Sequence, residues 1–317
     1  MFKRVFSALL TAGVVFGLLI AWINRQEIQD WWALRNYTPP VEIVELADAT
    51  TMTDEGRNIF YVNKPLVVDE VEFNSACRPE STIVLGCYIS RGGIYLYDIQ
   101  DPRLAGVKQV TAAHELLHAV YERLSPSERE RIDTLTAEAL QTVTQQRILD
   151  TVEEYRSGDA NVVPNELHSI MATEVRQLPS ELEDYYSKYF TNRLRIVEYS
   201  EKYETEFASR RQAVDKLDQE LAQLKLEIEG AQNDLSLQYK ALQNDKDQLD
   251  GLLASGQTEE YNSRVPGFNQ QVSAYNRSVR EVEAQINRYN ALVEQRNNIA
   301  VEVQELVDSI DSRPQSF

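Results

Sequence analysis

The sequence predicts an α+β, mainly helical protein in three parts: an N-terminal transmembrane helix, a domain built on a small sheet, and a C-terminal antiparallel coiled-coil hairpin. Three observations lead there. Residues Val5 to Ile23 are uncharged and strongly apolar. Short β-branched and aromatic segments, broken by turn residues, fill the stretch before residue 100. Apolar residues then recur at heptad spacing towards the end of the chain. The three parts are expected at 1–38, 39–192 and 193–317.

At ~1.5 Å per residue, Val5 to Ile23 extends roughly 28 Å, about one hydrocarbon core. A cleaved signal peptide is the competing reading. The run is long for an h-region, and it closes on Trp22 with Asn24 and Arg25 following where an A-x-A site would stand, so an uncleaved anchor is preferred. Lys3 and Arg4 would remain inside, which predicts a single-pass cell-membrane protein with its main domain extracytoplasmic. Trp22, Trp31 and Trp32 suit the interface, with Gln26 to Arg35 a juxtamembrane helix. The formal charge of −18 over 317 residues argues against a nucleic-acid partner, because phosphate binding needs clustered Lys and Arg. Cys77 and Cys87 lack the tight spacing of a zinc knuckle. In an oxidising compartment they would form a disulfide.

Pro39-Pro40 opens the second part. Val41 to Leu46 alternates weakly like a strand, and Thr53 to Tyr61 reads as a short helix capped near Thr53 or Asp54. Val67 to Phe73, Thr82 to Ile89 and Gly93 to Ile99 read as strands, with a hairpin within Tyr88 to Tyr97. A sheet edge there could hold an extended peptide by strand addition.

Thr111 to Ala119 reads T-A-A-H-E-L-L-H-A. His114 and His118, four apart on a helix, leave the same face one turn apart. Glu115 lies about 100° further round, within reach of water at a metal on that face. This is the H-E-x-x-H pattern: neutral imidazoles suit Zn²⁺, and a nearby Glu can take a proton from water. The pattern fixes only three residues and also arises by chance in helices. Here it holds two of the three histidines in the chain. Val107, Val110, Leu117, Val120 and Leu124 add a core-facing stripe. Ser125-Pro126-Ser127-Glu128 then predicts a capping box. Glu130 to Arg156 reads as helix, broken at Ser157-Gly158-Asp159.

After Pro164 comes N-E-L-H-S-I-M-A-T-E, with Asn165 placed to cap a helix. With the H-E-x-x-H motif, Asn165, Glu166 and Ser169 make residues 111–174 resemble the gluzincin metallopeptidases. The resemblance implies a zincin-like metallopeptidase domain, zinc held by His114, His118 and Glu166, and Glu115 as catalytic base. Two features depart from the family: the gap after His118 is longer, and Ile170 replaces an Asp. His168 is a rival ligand, but residues two apart on a helix point about 200° apart, so Glu166 and His168 cannot share one metal. An ordinary role for Glu166 is to favour the helix N-terminus. Glu174 could orient a ligand histidine. Tyr121, Tyr155 and His168 are candidates for stabilising a transition state. Tyr185, Tyr186, Tyr189 and Phe190, at helical spacing, read as core.

Val214, Leu217, Leu221, Leu224 and Ile228 begin the first heptad series, and Phe268 to Ile310 carries the second. Ala254 to Gly267 reads as the loop between them, giving a hairpin ~65 Å long at 1.5 Å per residue. Such an arm predicts a coiled-coil partner or self-association. The function expected is zinc-dependent hydrolysis of a protein or peptide substrate at a membrane. The alternative is a cell-envelope scaffold with a structural or degenerate metal site. A third reading, hydrolysis of a non-peptide amide, would use the same chemistry.

Overall fold

The computed structural model describes residues 25–77 and 83–313. These form two compact units, one taking the chain up to Glu206 together with Leu306 onwards, the other Phe207–Glu305. The α+β, mainly helical class holds, with one three-stranded sheet among the described residues.

The first unit opens with helices α1 (Arg25–Leu34), α2 (Val41–Ala49) and α3 (Asp54–Val62). Helix α2 replaces the strand expected there, because Ile43, Leu46 and Ala47 recur at helical spacing and all are buried. Thr53 caps α3 as expected, its side chain accepting from the Gly56 N–H at 3.1 Å. Strand β1 is only Leu66–Val68; Asp69 then caps helix α4 (Glu70–Ala76), so the strand expected to Phe73 ends early. Strands β2 (Gly86–Ile89) and β3 (Gly93–Tyr97) form the expected hairpin, antiparallel with Cys87 opposite Tyr95. Within the turn at residues 90–92 Arg91 takes a positive φ of 60, and Gly93, at φ 121, opens β3 where glycine is favoured. β1 runs parallel to β3, and the sheet order is β1-β3-β2, leaving β2 at an edge. A disulfide joins Cys77, after α4, to Cys87 in β2.

Helix α5 (Val107–Arg123) carries the H-E-x-x-H motif and buries Ala113, Leu116 and Leu117 in the main core. Helix α6 (Pro126–Leu140) begins with the capping box read from the sequence: Ser125 and Glu128 exchange bonds. The long helix expected over Glu130 to Arg156 is interrupted between Leu140 and Gln146, where β-branched Val143 turns into the core. Helix α7 (Gln146–Gly158) follows. Helix α8 (Val163–Glu174) starts two residues before Asn165, with Pro164 in its first turn, so Asn165 lies inside the helix and does not cap it. Beyond α9 (Ser180–Tyr186), the buried Arg193 donates to the Ala172 and Val175 carbonyls at 2.9 and 2.7 Å, closing the C-terminal end of α8.

The membrane expectation is corrected at this point. Among the described residues no helix is long and apolar enough to cross a membrane. The two longest are rich in charged and amide side chains, whose burial in hydrocarbon is costly. The run Val5 to Ile23 lies outside the described residues, and the single-pass location is not retained.

The second unit consists of parts of two helices, α10 (Leu194–Ala254) and α11 (Thr258–Ile310). Within it they run antiparallel: Arg210 pairs with Glu302, Asp218 with Arg296, Tyr239 with Tyr275 and Gln248 with Arg264. Leu217, Leu224, Ile228, Leu249 and Val282 are buried. The loop expected over Ala254 to Gly267 shrinks to a turn at Gly256, whose φ of 74 suits glycine. Pro266 sits inside α11, at the cost of one backbone bond.

Candidate metal centre

Helix α5 is the floor of the site. Its N-terminal end is fixed at Gly106, where φ is 114 and an added Cβ would meet the Tyr199 ring and backbone at 3.0–3.2 Å. At its C-terminal end, the Arg129 guanidinium lies 4.7 Å over the Tyr121 ring and donates to the Tyr121 carbonyl at 3.1 Å. Between these anchors His114 and His118 point into a cleft of about 870 Å³. Their ring centroids are 4.7 Å apart, as the four-residue spacing demands. A shallower groove of about 790 Å³ along α6 contains none of these side chains.

Helix α8 packs on α5 and brings Glu166 to the histidines. Glu166 Oε2 is 3.3 Å from His114 Nε2, and Oε1 is 3.6 Å from His118 Nε2. Charge-assisted N–H···O⁻ bonds are shorter, about 2.7–2.9 Å. Ligand atoms about 2.0–2.1 Å from a tetrahedral zinc lie roughly 3.3–3.5 Å from one another, which these separations match. Glu115, His114 and His118 also lie within 4.8 Å of one another by their ligand atoms. Two carboxylates thus compete for the ligand role. Glu166 is the better choice, because each of its oxygens approaches one Nε2, while Glu115 lies against Gly86 of β2. Two imidazoles and a carboxylate are a donor set that fits Zn²⁺.

Burial alone would raise the Glu166 pKa. The bond with His114, the two histidine charges and the Tyr155 hydroxyl outweigh it and hold the carboxyl below its ordinary value. Ser169 Oγ is 3.5 Å from His118 Nδ1, beside the ring face that Nε2 does not use. Gly86 of β2 explains how the strand comes so close to α5. A Cβ there would stand 2.6 Å from Thr111 Cγ2 and 2.8 Å from Glu115 Oε1. Every residue larger than glycine would displace the Glu115 carboxylate.

His168 is elsewhere. It is fully buried on the opposite side of α8, with Nε2 2.9 Å from the Tyr185 hydroxyl and its ring against Tyr121 and Tyr186. Burial, then the two motif histidines, push its pKa down to about 3, so the ring is neutral. Tyr121 gives its hydroxyl to Asp133 at 2.8 Å. Of the three candidates for transition-state stabilisation, Tyr155 is the one that lines the cleft. Glu174, expected to orient a histidine, is ion-paired with Arg147 at 2.6 Å. Tyr185, Tyr186, Tyr189 and Phe190 are core residues, as their spacing predicts.

Sequence reasoning missed Gly86 and Arg313 as parts of the cleft. A lone glycine before a cysteine carries no local signal, and Arg313 is distant along the chain. No protein-family model, no curated protein and no solved structure matches this chain.

Proposed function

We propose that the first unit is a zinc-dependent metallopeptidase of zincin-like design, with His114, His118 and Glu166 holding the metal. The observation that carries this reading is the approach of the two Glu166 oxygens to the two histidine Nε2 atoms. Zinc held there would supply Lewis-acid chemistry and make water a nucleophile at neutral pH. Glu115, buried between Gly86 and the histidines, takes the proton from water and later returns one to the leaving amine. Tyr155 hydrogen-bonds Glu166 and keeps its carboxylate turned towards the histidines. The outer edge of β2 receives substrate as an added extended strand, so main-chain bonds align the scissile amide above Glu115.

A second reading has support from the second unit, whose paired helices we read as a coiled coil suited to a partner or to self-association. In it the protein is a scaffold and the metal is structural. Metal analysis and a peptide-library assay on wild type and Glu115→Gln separate the two. Zinc with cleavage that the variant loses supports the peptidase. Zinc without cleavage supports the scaffold, and absence of bound metal contradicts both.

A further inference from the structure

The cleft has two ends, set by the direction of β2 along α5. Gly86 lies against Thr111 and Glu115, so Val84, two residues earlier, falls at the end nearer Val110, and both line the cleft. Tyr88, whose hydroxyl donates to Glu122 one turn beyond His118, lies towards the other. The Tyr97 N–H donates to the Leu85 carbonyl at 2.9 Å, so Leu85 faces β3. Backbone groups alternate along a strand, which turns those of Val84, Gly86 and Tyr88 to the outer edge.

At the Val84 end that edge is taken. Ser312 Oγ donates to the Val84 carbonyl at 2.6 Å, and the Ser312 carbonyl accepts from Asn74 Nδ2 at 2.7 Å. Ser312 is 3% exposed. Leu306 is fully buried, and Ser309 Oγ donates to Asp101 at 3.3 Å, which fixes the approach to Ser312. Arg313 follows and lines the cleft, its guanidinium held by both Asp311 oxygens at 2.7 Å. The occupied positions are those that an added strand would use.

From this we infer that Leu306–Arg313 is a stop at the Val84 end of the cleft, which restricts the peptidase to bonds near one end of a peptide. The inference rests on the peptidase reading above. Gly86 sits beside Glu115, and Val84 is one ladder step away, about 7 Å. The space between the reacting bond and the stop therefore takes roughly two or three substrate residues. Towards Tyr88 no backbone bond from the described residues occupies the outer edge, and the peptide extends.

The test is a mass-spectrometric digest of a mixed decapeptide library by the zinc-loaded full chain, a chain shortened to Ile310, and the full-length double variant S312A/R313A. Wild type is expected to cut within about three residues of one terminus. Both altered proteins are expected to shift towards central bonds, the ratio of central to terminal cleavage rising about tenfold. If shortening unfolds the protein, judged by circular dichroism, the double variant carries the test. Cuts spread evenly along the peptides by wild type, or the same positional bias in wild type and the folded variants, overturn the stop while leaving the peptidase standing. No cleavage by zinc-loaded wild type overturns the peptidase, and the stop falls with it.

Discussion

Helix α8 presents two faces, and they differ in kind. One carries Glu166 and Ser169 to the cleft, where His114 and His118 are partly exposed. The other carries His168 into a layer formed by Tyr121, Tyr185 and Tyr186, with no exposure at all. Both faces place polar groups against histidine. On the first, carboxylate oxygens meet ring nitrogens at separations that leave room for an ion. On the second, the ring has a hydroxyl at 2.9 Å, and the Tyr186 hydroxyl donates to the His168 carbonyl at 2.8 Å. A histidine is thus read by what its nitrogens face. The cleft face leaves its histidine nitrogens partly exposed beside a carboxylate, and the tyrosine face closes around a buried ring.

Variants on the two faces should therefore fail differently. The largest effect is expected for Glu115→Gln, which keeps the shape of the side chain and removes the base. Peptide hydrolysis should fall about 10²- to 10⁴-fold in initial rates, while bound zinc and the unfolding midpoint stay at wild-type levels. An intact rate would remove Glu115 from the chemistry.

On the other face, His168→Ala leaves a cavity and deprives the Tyr185 hydroxyl of its partner. Urea unfolding should show a loss of about 2–4 kcal/mol, with zinc content unchanged. Zinc lost in step with folding stability would mean that the two faces are one site. Tyr155→Phe, which frees Glu166 from its hydroxyl, should weaken zinc binding about 10-fold in chelator competition and leave stability near wild type.

The remaining prediction concerns pH. The folded-state pKa of His168 is about 3, below the ordinary 6.5, so between these values the unfolded chain binds the extra proton. Stability is then complete above about pH 6.5 and declines as pH falls towards 3. In pH-dependent urea unfolding, His168→Phe should flatten that slope. An unchanged slope would assign the acid loss to other groups.

Much of the cleft floor was legible because its signals are local. The two histidines and Glu115 follow from one helical turn, and Ser125 to Glu128 announces its own cap. Glu166 was reachable through a short motif on a second helix. His168 was separable from it by helix geometry alone, since residues two apart on a helix point to opposite faces. What could not be read depends on distant approach. Gly86 matters because β2 lies against Thr111 and Glu115, and Ser312 reaches Val84 across 228 residues. Short elements were also misread. In Val41 to Leu46 weak alternation concealed a helix, because burial of Ile43, Leu46 and Ala47 decided the matter. Pro266 was taken for a loop, although a long helix tolerates one lost bond.

The most direct measurement is zinc stoichiometry, by inductively coupled plasma mass spectrometry, in wild type, Glu166→Gln and His168→Gln purified in parallel. Wild type and His168→Gln should each hold about one zinc per chain, and Glu166→Gln should lose it at equal chelator concentration. Zinc retained by Glu166→Gln and lost by His168→Gln would contradict the assignment of the two faces, and no zinc in wild type would contradict the metal centre itself.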